Sequence, residues 1–332
     1  SGAVGNDPGI PLKLWDGCYP GLLDWVSFWR LLSLAAALAA LAALFRLRRR
    51  LDANHPWPAL WVLSAFALSG VFAIYATALR GYAVSWLWVA LALYGAWRIF
   101  HGPRAGWGWG LYIAAALLAA GTVPTNLLAL GAVVIYALPW SRKDFLKDGR
   151  LWLLAAVPPL ALLLFYGPIW RDFVHTFTLN EGFAGRLPAL AVTYGAIVSV
   201  FGLLLPFLWR RASMRDWRVM ARLIIWLLPA LAVLLLHRAP FPRVFVTLFP
   251  VYAMLLADGV ADWRPSPKTA AILTAAWVGV QLLLGWAVPR AASAVGLSVY
   301  EDDYFRPWYM AETYSVRSVL PELRRRPPAI PV

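Results

Sequence analysis

The sequence is poor in cysteine and in charged residues compared with soluble enzymes and secreted domains. It contains one cysteine, Cys18, among 332 residues, which excludes an intrachain disulfide and a metal site built on cysteines. Only 14% of the residues are charged, and Asp and Glu together number 16. The hydrophobic fraction is 61%, whereas roughly 45–50% is typical of soluble domains. An ordinary soluble domain is therefore excluded.

In place of charge, the sequence has long apolar runs between residues 29 and 288. About 20 apolar residues cross a bilayer as a helix, and these runs lack the alternation of a membrane β-strand. They predict an all-α polytopic membrane protein with about ten transmembrane helices. The predicted spans are 29–45, 58–79, 82–100, 109–121, 124–140, 151–170, 187–209, 223–236, 241–260 and 269–288.

The net charge of +14 is spread unevenly over the loops between these spans. Cytoplasmic loops of membrane proteins are enriched in Lys and Arg, so the richer set of loops is predicted to be cytoplasmic. Both ends of the sequence are then extracytoplasmic, and the basicity needs no nucleic-acid partner. The richer set holds Arg46, Arg48, Arg49, Arg50, Arg98, Arg104, Arg142, Lys143, Lys147, Arg150, Arg210, Arg211, Arg215, Arg218, Arg222, Arg264 and Lys268; the other holds Arg80, Arg171, Arg186, Arg238 and Arg243.

Three parts follow from this topology. Residues 1–28 form an extracytoplasmic (periplasmic) segment, 29–288 the transmembrane domain, and 289–332 an extracytoplasmic tail that reads as the start of a small soluble domain. A chain does not readily begin outside the membrane without a signal or an earlier span, so we expect a further helix upstream. Tryptophans near the predicted span ends, among them Trp86 and Trp107, predict aromatic belts at the membrane surface.

Three short motifs occur in a characteristic order along the predicted spans. They are Arg48-Arg49-Arg50 after the first span, Arg80-Gly81-Tyr82 before the third, and Pro242-Arg243-Val244-Phe245 followed by Pro250 and Asp258-Gly259 in the ninth. This order resembles the C-type glycosyltransferase superfamily, in particular bacterial aminoarabinose–lipid A transferases and protein O-mannosyltransferases. The chain departs from that pattern at Pro124-Thr125-Asn126, where the family often has a histidine, and at Val244, where a tyrosine is expected.

The resemblance implies a multi-pass enzyme of the bacterial inner membrane with the beginning of an extracytoplasmic C-terminal domain. Such enzymes transfer a sugar from a polyprenyl-phosphate donor to an envelope lipid, glycan or protein at the outer face, and we expect inversion at the anomeric carbon. Membrane lipids are the other expected partners, because the cytoplasmic arginines meet anionic head groups. Three alternatives stay open: a non-catalytic subunit with this fold, a transporter or flippase for a lipid-linked sugar, and an O-antigen ligase or polymerase.

The carrier phosphate needs cations, and the planar fork of arginine matches phosphate oxygens. The candidate donor-binding residues are Arg80, Tyr82, His237, Arg238 and Arg243. For the arginines, snorkelling at a span end is the alternative interpretation.

The acceptor's proton must pass to a carboxylate. The resemblance places that acid upstream of this sequence, and Asp7 and Asp172 are the candidates within it. We predict no metal site, although a divalent cation at Glu301-Asp302-Asp303 stays open beside a solvated acidic turn.

Overall fold

The computed structural model describes residues 20–51, 57–77, 81–102, 105–138, 145–171, 183–203, 205, 217–236, 242–263 and 266–283. All regular secondary structure within these ranges is helical, which confirms the all-α prediction. The α-helices are α1 Pro20–Leu51, α2 Trp57–Ala67, α3 Gly70–Thr77, α4 Tyr82–His101, α5 Ala105–Thr122, α6 Asn126–Ala137, α7 Gly149–Tyr166, α8 Phe183–Phe201, α9 Trp217–Leu236, α10 Phe249–Trp263 and α11 Pro267–Leu282. Short 3-10 helices span Phe145–Lys147, Gly167–Ile169 and Pro242–Leu248.

Four of the described helices are long and apolar enough to cross a membrane. They cover Phe28–Leu51, Tyr82–His101, Gly149–Ile169 and Val244–Ala261. These helices support the membrane assignment made from composition. Helices also lie at the remaining predicted spans, but that ten of them cross the bilayer stays a prediction.

Helix α4 is the centre of the bundle and packs closely against α5. A Cβ added to Gly95 would lie 2.8 Å from the backbone nitrogen of Tyr112, and one added to Gly108 would lie 3.0 Å from the carbonyl oxygen of Gly95. Glycines at such a crossing let two helix backbones approach, as small residues do between membrane helices. The pairs show that α4 and α5 run antiparallel, because the end of α4 lies beside the beginning of α5.

Side-chain contacts define two ends of the bundle. At the first, the Arg50 guanidinium lies 5.4 Å from the ring of Tyr94, and Nη1 of Arg150 donates to the carbonyl oxygen of Ile99 at 3.2 Å. The end of α1, the end of α4 and the beginning of α7 therefore meet, and we call this the arginine-rich end. At the second, a Cβ on Gly81 would touch the Thr122 side chain, so the beginning of α4 meets the end of α5; we call this the Gly81 end.

The second predicted span is a broken helix rather than a continuous one, since α2 and α3 are separated by Leu68 and Ser69. The Ser69 hydroxyl donates to the Phe66 carbonyl oxygen at 2.7 Å and accepts from the Phe72 amide at 3.1 Å. The Gly70 amide donates to Oε1 of Gln281 at 3.5 Å. In an apolar surrounding, backbone groups released by a break need partners, and these two polar side chains supply them.

Candidate functional site

The turn before α4 carries the first group of predicted donor-binding residues. Gly81 has φ +73°, a left-handed conformation that favours glycine, and α4 starts at the next residue. Tyr82 is only 6% exposed, and its ring meets that of Tyr75 edge-on at 5.0 Å. A ring this deeply packed does not fit an anchor at the membrane surface. Its position is fixed by α3 and α4 instead.

Trp86 joins this region to the segment that begins the ninth predicted span. Its indole Nε1 donates to the carbonyl oxygen of Val246 at 2.9 Å, and its ring stacks on Phe72 with the centroids 5.5 Å apart. Trp86 is fully buried, so its assignment to a surface aromatic belt was wrong, whereas Trp107 is 66% exposed. The apolar surroundings of an interior position and of a membrane interface look alike in sequence, which explains the error.

Helix α4 and the helical segment formed by Pro242–Leu248 and α10 therefore run in parallel. Trp86 lies one turn after the start of α4, and Val246 lies within the 3-10 helix that leads into α10. At the other end of the bundle, Tyr94 of α4 and Asp258 of α10 both contact the last turn of α1. Because these parallel helices are joined near their beginnings, Tyr82 and the backbone of Arg243 lie at the same end of the bundle, the Gly81 end.

A buried asparagine holds the beginning of α6 at the Gly81 end. Nδ2 of Asn126 donates to the Ser85 hydroxyl and to the Ala119 carbonyl oxygen, both at 2.8 Å. Asn126 is fully buried, and its Oδ1 has no hydrogen-bond partner among the described residues; the same holds for the Thr125 hydroxyl. Helices α4, α5 and α6 are thus tied together next to the turn at Gly81.

Most of the predicted site residues lie outside what the structure describes. Tyr82 is the one candidate with a described side chain, and Arg243 is described only as part of the backbone of Pro242–Leu248. The acidic tail 301–303 is likewise outside the described residues, and no group of three His, Cys, Asp or Glu side chains comes together elsewhere in the described part. Those outside are Asp7, Arg80, Asp172, His237 and Arg238.

Comparison with protein families, curated proteins and solved structures finds no match for this chain. The resemblance to C-type glycosyltransferases therefore rests on the short motifs and their order.

A second polar site, at the arginine-rich end, was missed from the sequence. Nη1 of Arg48 donates to Oδ1 of Asp258, and the Tyr136 hydroxyl donates to Oδ2 of the same carboxylate at 3.0 Å. The Arg48 side chain is 6% exposed and that of Asp258 is 28% exposed. The contacts join α1, α6 and α10 through one carboxylate, and Arg222 at the beginning of α9 lies near enough to act electrostatically on Tyr136.

In the sequence, Arg48 is one of three consecutive arginines that serve as a topology signal and as one of the motifs behind the family resemblance. One feature of the sequence could have identified the cluster. Asp258 is an acidic residue inside the apolar stretch Val244–Ala261, and ionisable groups in such stretches almost always have a partner or a function. The partners themselves lie 210 and 122 residues away along the chain, so no local pattern identifies them.

Proposed function

We propose that the chain is a C-type membrane glycosyltransferase that takes a sugar from a polyprenyl-phosphate donor. In this proposal the bundle crosses the bacterial inner membrane about ten times, and the Gly81 end faces the periplasm. The acceptor is an envelope lipid, glycan or protein. The arginine-rich end then faces the cytoplasm, in agreement with the excess of cations in its loops.

The observation that carries the proposal is the hydrogen bond between Trp86 and Val246. It packs the helix that follows Arg80 against the segment that contains Arg243, at the same end of two parallel helices. Two arginines supplied by neighbouring segments are a suitable clamp for a phosphate at the mouth of an apolar bundle, because guanidinium groups pair with phosphate oxygens in two parallel hydrogen bonds. His237 and Arg238, just before this segment, would add to the same positive field.

The reaction is a direct displacement. An acceptor hydroxyl oxygen forms a bond to the anomeric carbon, the bond from that carbon to the phosphate oxygen breaks, and polyprenyl phosphate leaves with the electron pair. The acceptor's proton passes to a carboxylate, for which Asp7, Asp172 or an upstream acid are the candidates. The arginines act on the leaving phosphate, whose negative charge increases in the transition state.

The second candidate is a non-catalytic subunit with the same fold. The two carboxylates whose side chains the structure describes, Asp148 and Asp258, both lie at the arginine-rich end and are paired with arginines. Neither is placed to receive a proton at the Gly81 end. The subunit would bind the lipid carrier without turning it over.

The test is transfer of label from a polyprenyl-phosphate sugar to membrane acceptors by the purified chain, with donor binding measured separately. We expect Arg243→Ala and Arg80→Ala each to lower turnover by about 100-fold, the effect of removing one group that stabilises developing charge. Arg171→Ala is the matched control, since Arg171 is an exposed arginine just after the 3-10 helix Gly167–Ile169. Donor binding without transfer supports the non-catalytic subunit. If the chain neither binds the donor nor transfers its sugar, both proposals are refuted.

A further inference from the structure

Two guanidinium groups from different helices lie over one tyrosine ring at the arginine-rich end. The Arg50 guanidinium, from the last turn of α1, is 5.4 Å from the centroid of Tyr94, and that of Arg98, one turn further along α4, is 5.9 Å from it. Cations at this distance are attracted to the face of an aromatic ring. Two positive charges, which repel each other, thus lie within about 6 Å of the centre of one ring.

These charges have no carboxylate partner among the described side chains. Asp258 is bound by Arg48 and Tyr136, and Asp148 is bound by Arg150 at 2.6 Å. The Nε of Arg98 is buried without a hydrogen-bond partner in the described structure. Seventeen Lys and Arg residues belong to this end by sequence, against six acidic ones: Asp52, Asp144, Asp148, Asp216, Asp258 and Asp262. An excess of positive charge remains even if every acid is paired.

The residues around Arg50 and Arg98 are typical of the lipid head-group region of a membrane rather than of a surface in bulk water. Arg50 and Arg98 lie in the last turns of two helices that are long and apolar enough to cross a membrane. On the same face of α4, the half-buried Trp97 tilts against Tyr94 with the centroids 6.1 Å apart, and the exposed His101 stacks on Trp97. Tryptophan and tyrosine beside arginine are typical of the membrane–water boundary.

We propose that Arg50 and Arg98, held over Tyr94, bind the phosphate of anionic phospholipid head groups. Basic pockets between membrane helices select such lipids, because an anion relieves the repulsion between the cations and meets their unused hydrogen-bond donors. This site is independent of the proposed sugar transfer, which lies at the opposite end. Free phosphate can make the same hydrogen bonds to the arginines. Unlike a phospholipid, it has no acyl chains that could pack against the apolar helices below them.

The test titrates the full-length protein in a zwitterionic detergent with phosphatidylglycerol and with phosphatidylcholine, and counts retained lipids by native mass spectrometry. We expect the protein to retain phosphatidylglycerol in preference. The double variant R50Q/R98Q should bind it about thirty-fold more weakly, from the contribution of two surface cations near a lipid phosphate. Its binding of phosphatidylcholine, in which the choline cation offsets the phosphate charge, should fall much less.

The matched control is R46Q/R49Q, which removes the same charge from exposed arginines of the same helix; the guanidinium of Arg49 lies over Phe45 instead. We expect this control to keep its affinity. Equal losses in both variants, or displacement of the lipid by inorganic phosphate at the lipid's own concentration, would overturn the site. If R50Q/R98Q does not fold, R50K/R98K keeps the charge without the planar fork and should show a smaller loss; unchanged affinity there would also overturn it.

Discussion

Replacing Arg48 with methionine tests the buried cluster at the arginine-rich end most directly. Methionine keeps much of the apolar stem of arginine but removes the charge that binds Asp258. Because the Arg48 side chain is 6% exposed, water cannot replace the lost partner from that side. Arg46, Arg49 and Arg50 remain in the last turns of α1, so the charge bias that sets topology is largely kept.

The expected cost follows from burial. Removing one partner of a buried ion pair destabilises a protein by about 3–5 kcal/mol, since the other charge is left without compensation. Asp258 is 28% exposed, so part of its charge is still hydrated, and we expect about 3 kcal/mol for Arg48→Met. Tyr136→Phe removes a single hydrogen bond to the same carboxylate and leaves the ion pair, so its cost should be about 1.5 kcal/mol.

The decisive comparison is the double variant R48M/D258L. Well-packed apolar residues in place of a buried ion pair are often neutral or stabilising, so the double variant should be less destabilised than Arg48→Met alone. Free energies of unfolding in mixed micelles with increasing dodecyl sulfate, followed by the emission of the 20 tryptophans, provide the measurement. Costs that add across the two positions would show that the side chains are not coupled, and the account of this cluster would be refuted.

Three further changes test the packing around α4, each by the melting temperature of the purified protein. Gly81→Ala should cost about 1–2 kcal/mol, because alanine is strained at φ +73° and its Cβ would meet α5 at 2.9 Å; an unchanged melting temperature would contradict that geometry. Trp86→Phe should cost about 1–3 kcal/mol through the unpaired carbonyl of Val246, and full stability would mean that the bond contributes nothing. Gly108→Ala should lower stability while Gly110→Ala, with open space at its Cβ, should not; equal effects would contradict the close crossing of α4 and α5.

The positions of most described helices could be predicted from the sequence, because they lie in apolar runs and the membrane solvent leaves few other structures for such a run. One exception is the break between α2 and α3. A serine hydroxyl and Gln281, 211 residues from Gly70, satisfy the backbone there, so the local sequence of the span gives little sign of it. Prediction of helices from apolar content therefore fails where a distant polar side chain satisfies the backbone groups that a helix break releases.

The polar sites were harder to predict, for a related reason. Sequence reasoning treated Arg48 and Arg50 as equivalent members of one cationic run. In the structure they point to different partners, Asp258 and the ring of Tyr94, because successive residues of a helix are turned by about 100°. Charge counts predict which end of a bundle is positive, but the role of each arginine depends on which helices pack beside it.

The position of Asp258 also limits where the proposed transferase can find its base. Between Arg243 and Asp258 the chain runs through a 3-10 helix and then through α10, which at roughly 2 Å and 1.5 Å per residue gives a separation of about 25 Å along the element. This length approaches the roughly 30 Å thickness of the hydrocarbon core. A base must lie within about 3 Å of the proton that it removes, or one water away. Asp258 therefore cannot serve a donor held at Arg243 in the proposed transferase, whose base must be another acid. Asp7 and Asp172 are the candidates within this sequence. Transfer activity that survives in the double variant Asp7→Asn, Asp172→Asn would exclude both of them.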